Sequence, residues 1–120
     1  MYGYKELLVW QKSMKVATKI YGLTKKIPQE EKFGIISQIN RAAVSIPSNI
    51  AEGSERSSKK EFSQFLAIAR GSKAELETQL RICVNVGYLS ENEILDVEKS
   101  LKEIGAMLSS LISKNKDNIK

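Results

Sequence analysis

Five lysines near the start of the chain, Lys5, Lys12, Lys15, Lys19 and Lys26, recur at intervals of 7, 3, 4 and 7 residues. At 100° per residue that spacing sets them within an arc of roughly 80° on one face of a helix. Such a line of ammonium groups could follow a phosphate backbone, each contact releasing counterions and making binding salt-dependent. It could equally be the solvated face of a surface helix. No arginine or aromatic ring is interleaved with the stripe, so binding of this kind would sense charge more than bases. Residues 1–26 hold six lysines against Glu6 alone, and a second basic excess lies in 56–87. The net charge of +5 permits RNA or another polyanion as partner without requiring one.

Other chemistry is missing. The chain has no histidine, which removes the commonest general base and metal ligand and every Ser-His or Cys-His pairing. Neither G-x-x-x-x-G-K-[ST] nor G-x-G-x-x-G occurs, so no phosphate cradle is expected. Glu75 and Glu77, or Glu30 and Glu31, are spaced to point in different directions on a helix. Glu93 and Asp96 share a face, but acids in a first turn ordinarily complement the helix dipole. Cys83, the single cysteine, falls on an apolar face and reads as core. These features point away from an enzyme and imply neither cofactor nor metal.

Two further patterns stand out. Gln38, Arg41, Ser45, Ser48 and Glu52 are spaced 3, 4, 3 and 4, with Asn49 beside them and Pro47 among them. Asn49 and Ser48 could satisfy carbonyls freed by the proline, or the line could face another chain, where Arg41 would pair with a carboxylate such as Glu52 or Glu75 of a neighbour. Ala67, Gly71, Ala74 and Thr78 form a stripe of small residues that lets another helix come close, within the chain or between chains.

Period-two alternation is absent and apolar residues recur at three- and four-residue spacing, so the elements that carry these residues are helices. The first spans about 6–26, with Leu7, Trp10, Met14, Ala17 and Tyr21 along one face. Val9, Val16 and Ile20 widen that face to roughly half the circumference, more than one neighbour usually covers. Pro28 ends it. The second runs over 32–52, with Gly53 as its cap and a kink rather than a break at Pro47. Ser58-Lys-Lys-Glu61 and Ser90-Glu-Asn-Glu93 have the capping-box form and open a third helix over 59–86 and a fourth over 91–113. The stretch 114–120 reads as a polar, mobile tail. Short connections imply an up-down-up-down, all-α four-helix bundle in a single domain covering 1–120. A lone cysteine and the lack of a leader or a long apolar run fit a cytoplasmic protein that does not enter a membrane.

The run from Gln38 to Gly53, QINRAAVSIPSNIAEG, resembles the signature of the 23S rRNA intervening-sequence protein family, also called the ribosomal protein S23 family. Other blocks of the family follow in order: Leu8-Val-Trp-Gln-Lys12 with Ile20-Tyr21, Glu61-Phe62 to Phe65-Leu66, Ile68-Ala-Arg-Gly-Ser72, Glu75-Leu-Glu-Thr-Gln-Leu80 and Gly87-Tyr-Leu89. The signature positions include Arg41, Ser45, Pro47, Asn49, Glu52, Gly53, Gly71, Ser72 and Glu75. The resemblance implies a left-handed bundle that assembles as a homo-oligomer, a homopentamer in known members. It supplies no catalytic residues, and the family name records a gene location rather than an activity. Two functions therefore stand open: a non-catalytic homo-oligomer binding RNA or another polyanion, or a protein-binding scaffold or accessory subunit of a nucleic-acid enzyme with no direct RNA role.

Overall fold

In the computed structural model, residues 3–117 are described. A short 3₁₀ turn at Tyr4–Glu6 leads into α1 (Leu8–Thr24), a second at Gln29–Glu31 into α2 (Ile35–Ser54), and α3 (Lys59–Asn85) and α4 (Glu91–Asp117) complete the chain. No strand occurs among the described residues. Each helix packs on its sequence neighbours and α1 also lies against α4, so α1 faces α3, and α2 faces α4, across diagonals of the bundle. Hydrogen bonds from Thr24 to Asn40, between Ser45 and Ser72, and from Arg70 to Ser109 tie successive helices in antiparallel register. The result is a rod of 49 × 22 × 20 Å.

The core runs the length of the rod as one cluster, with Ile20, Ile39, Ile50, Leu66, Leu76, Leu80, Leu101 and Leu108 fully buried. On α1 the buried stripe is Val9, Ser13, Val16, Ala17, Ile20 and Thr24. The half of the wide apolar face that sequence spacing made central, Trp10, Met14 and Tyr21, lies at the edge instead, with Met14 and Tyr21 exposed. Ser13 is tolerated inside because its hydroxyl donates to the Val9 carbonyl at 2.6 Å, which satisfies a polar group taken from water.

Punctuation explains the helix ends. α2 starts at Ile35, later than the expected position 32, because Pro28 opens a 3₁₀ turn and Gly34 leaves helical geometry with φ −106° and ψ −117°. It runs through Pro47 as one helix and on past Gly53 to Ser54. Gly53 is therefore no cap. It sits inside the helix where a Cβ would meet Phe65 Cβ at 2.6 Å and Phe62 Cδ1 at 3.0 Å. α3 ends at a left-handed Gly87, φ 87°, with the Tyr88 amide donating to the Cys83 carbonyl at 2.8 Å, the closure of a Schellman motif. The second capping box is complete, with Ser90 and Glu93 exchanging bonds in both directions, whereas at Ser58 only the N-cap half forms: Ser58 Oγ accepts from the Glu61 amide, and the Glu61 carboxylate accepts from the Ser57 and Ser58 hydroxyls instead of the Ser58 amide. α4 does not fray at Ser113; it continues to Asp117 and buries Asn115. Residues 118–120 of the expected tail lie outside the described residues.

Candidate functional site

The lysine line is divided by its neighbour. Lys12, Lys15 and Lys19 stand on α1, Lys5 in the 3₁₀ turn before it and Lys26 just beyond it. Antiparallel α4 brings carboxylates to two of them: Lys12 Nζ lies 3.3 Å from Glu103 Oε1 and Lys26 Nζ 2.9 Å from Glu93 Oε2. The Lys26 hydrogen bond, with the Ser90 amide, holds the Glu93 carboxyl below the usual glutamate range. Lys5, Lys15 and Lys19 are exposed and make no ion pair among the described residues.

The polar line on α2 also separates by direction. Ser45 Oγ meets Ser72 Oγ at 2.8 Å, joining α2 to α3, and Asn49 Nδ2 donates to the Ser45 carbonyl and hydroxyl at 2.8 and 2.9 Å. Asn49 thus braces the turn beside Pro47 but bonds the carbonyl of Ser45, whereas the one left without its amide donor by the proline is that of Ala43. Glu52 is held within the chain by Arg56 at 2.8 Å. Gln38, Arg41 and Ser48 remain exposed, and Arg41 has no carboxylate partner among the described residues.

Arg41 borders an apolar trough between α1 and α2. Two adjoining hollows, of about 330 and 570 Å³, share Tyr21 and Val44; Trp10, Met14 and Pro47 line one and Phe33 and Ile36 the other. Phe33 is 91% exposed. The small-residue stripe faces outward on another side: Ala67, Gly71, Ala74 and Thr78 are all exposed, and an added Cβ at Gly71 would touch nothing within 4 Å. Of the two readings of that stripe, a close pair inside one chain is excluded. The two apolar residues beside it, Ile68 and Ile82, are exposed as well. Glu75, on the same side, makes no ion pair among the described residues.

A third surface was not singled out from the sequence. Between α3 and α4, Lys60, Arg70 and Lys116 gather around a groove. The basic excess over 56–87 was its signal, but only the pairing of α3 with the end of α4 places Lys116 beside the other two.

Among the described residues no group of three or more His, Cys, Asp or Glu is placed to hold a metal. Cys83 is buried, and desolvation, with a smaller contribution from Glu31, raises its thiol pKa. The Tyr88 hydroxyl donates to Glu31 Oε2 at 2.8 Å, which keeps the phenol protonated to higher pH and ties the α3–α4 turn to the segment before α2. No described helix is long and apolar enough to cross a membrane.

A four-helix bundle whose polar features lie on outer faces and seams defines a class of small all-α proteins. Within it, the family model of the 23S rRNA-intervening sequence protein matches residues 5–110, and the chain belongs to that family. It is similar to the crystal structure of a protein of unknown function from the S23 ribosomal protein family of Bacteroides thetaiotaomicron. The identity is 30%, with a TM-score of 0.81, covering 88% of this chain and 98% of that one. No curated protein matches the chain.

Proposed function

We propose that the protein is a non-catalytic, cytoplasmic homo-oligomer that binds RNA or another polyanion through its basic surfaces. The observation that carries this reading is the division of the lysine line: where α4 offers carboxylates the lysines are compensated, and Lys5, Lys15 and Lys19 are left exposed without them. Copying a weak cationic surface around an assembly multiplies its affinity without any new contact. Assembly itself is supported by the α1–α2 trough and the outward stripe of α3, two dissimilar surfaces that suit a head-to-tail contact between copies. Arg41 at the trough and Glu75 beside the stripe supply opposite charges for such a contact, and the family resemblance suggests a pentamer.

Binding of structured RNA across a salt series tests the reading. Changing Lys15 and Lys19 to Glu should weaken binding by about tenfold or more and flatten the dependence of log K on log salt by nearly one unit per lost contact. Absence of salt-dependent binding by the unaltered protein would refute the polyanion role. The exposed aromatic and aliphatic trough favours a second reading, a scaffold or accessory subunit that holds a protein partner. Retention of a partner after nuclease treatment, with no RNA binding in the salt series, would favour it.

A further inference from the structure

Five cationic side chains stand along the α3–α4 seam in two groups. Toward the C-terminal end of α3 each is compensated: Lys73 Nζ lies 3.1 Å from Glu77 Oε1, and Arg81 reaches Glu91 at 2.6 Å and Glu98 at 2.8 Å. Toward its N-terminal end, Lys60, Arg70 and Lys116 line a groove of about 530 Å³ that has no carboxylate in its wall, and none of the three makes an ion pair among the described residues. Ser63, another lining residue, has a buried hydroxyl without a hydrogen-bond partner. Arg70 Nη1 donates to Ser109 Oγ at 3.2 Å, which ties the guanidinium across the seam while its other N–H groups stay available for a phosphate.

The spacing indicates what such a groove would take. At about 1.5 Å per residue, Lys60 and Arg70 are roughly 15 Å apart along α3. Ser109 is level with Arg70, and the seven residues onward to Lys116 advance about 10 Å along antiparallel α4 toward Lys60. Lys60 and Lys116 thus stand within about 5 Å of each other along the seam and Arg70 about 10 Å further on, a spread that can accompany successive phosphates of a chain. Helices about 10–12 Å across with their side chains pack with axes about 8–10 Å apart, so the seam is a shallow furrow along which a strand can lie, and only a single strand has bases free to enter it. Its floor includes the alkyl groups of Ala67 and Ile112, against which a base can rest.

We infer that this groove is a track for single-stranded RNA, with the phosphodiester backbone passing Lys60, Lys116 and Arg70. The inference rests on the polyanion reading and gives it a second surface, distinct from α1. It is tested with the full chain and a labelled oligouridylate of about 20 nucleotides in a salt series: the triple variant Lys60→Ala, Arg70→Ala, Lys116→Ala should bind at least about tenfold more weakly and lose about two units of salt slope. The double variant Lys60→Ala, Lys116→Ala leaves the Arg70–Ser109 bond intact and should show the same effect, smaller, if the triple variant fails to fold. Duplex RNA should compete less well than the single strand. Unchanged affinity and slope in folded variants, while Lys15→Ala with Lys19→Ala abolishes binding, would overturn the groove and leave the polyanion reading standing. No salt-dependent binding of any RNA by the unaltered protein overturns both. Competition by inorganic phosphate as strong as by the oligonucleotide at equal phosphate concentration would mark a single-anion site and overturn the track. Ala67 also begins the outward stripe of α3, so molecular size is measured on each variant; binding lost only together with assembly would count against the groove.

Discussion

Gly53 and Gly71 show how differently two glycines of the same signature act. At Gly53 a methyl group would stand 2.6 Å from Phe65 Cβ, an atom fixed to the α3 backbone that cannot swing aside. Overpacking of that kind costs about 1–3 kcal/mol, against roughly 1 kcal/mol gained from replacing a helical glycine by alanine, so Gly53→Ala should lower stability on balance. At Gly71 nothing opposes the new methyl, and Gly71→Ala should raise the stability of the single chain by about 0.5–1 kcal/mol. Urea unfolding of both variants, under conditions where the chain is monomeric, checks the opposite signs.

Among the elements, α4 depends most visibly on its start. Ser90 and Glu93 satisfy each other's amides, and Glu93 additionally holds Lys26 at the end of α1. Ser90→Ala should cost about 1 kcal/mol, the usual loss of an N-cap. The pH dependence follows from the lowered Glu93 pKa. The folded state prefers the carboxylate, so its contribution is complete above the ordinary glutamate value of 4.5 and is lost as the pH falls through the lower folded value. Glu93→Gln keeps the cap geometry without the charge. Its thermal midpoint should lie below that of the unaltered protein at neutral pH, and the gap should close in acid. A constant gap would show that the charge is irrelevant. In the same α3–α4 turn, the Tyr88 phenol is held protonated by its hydrogen bond to the Glu31 carboxylate, so that link is present at neutral pH and is lost as the pH rises through the raised phenol value.

At the scale of the whole molecule, the exposed trough and the outward stripe carry the expectation of assembly. Light scattering or sedimentation should find a closed oligomer at micromolar concentration. Gly71→Leu projects a large side chain into open space within one chain, so it should leave helicity and the folded monomer intact while shifting the size distribution downward. Full retention of assembly would show that α3 does not form the contact. Arg41→Glu should weaken assembly and its combination with Glu75→Arg should restore it in part, which distinguishes a paired contact from a general loss of charge.

Periodicity, capping boxes and the two prolines determined much of this protein by themselves: four helices, their order, the starts of α3 and α4, the end of α3 before Gly87 and a buried Cys83. These are local properties, fixed by backbone geometry and by hydrogen bonds within a few residues. Tertiary structure decided which half of an over-wide apolar face turns inward, because Val9, Val16 and Ile20 are selected by the directions of α2 and α4 and not by the spacing in α1. It changed Gly53 from a cap into a point of close approach, since the relevant atom is Phe65, twelve residues away in sequence. It divided the lysines of one line into compensated and exposed ones, because an ion pair needs a partner that sequence spacing on a single helix cannot supply. The groove of Lys60, Arg70 and Lys116 has the same origin: its charges come from opposite ends of the last two helices, and only their antiparallel packing makes them neighbours.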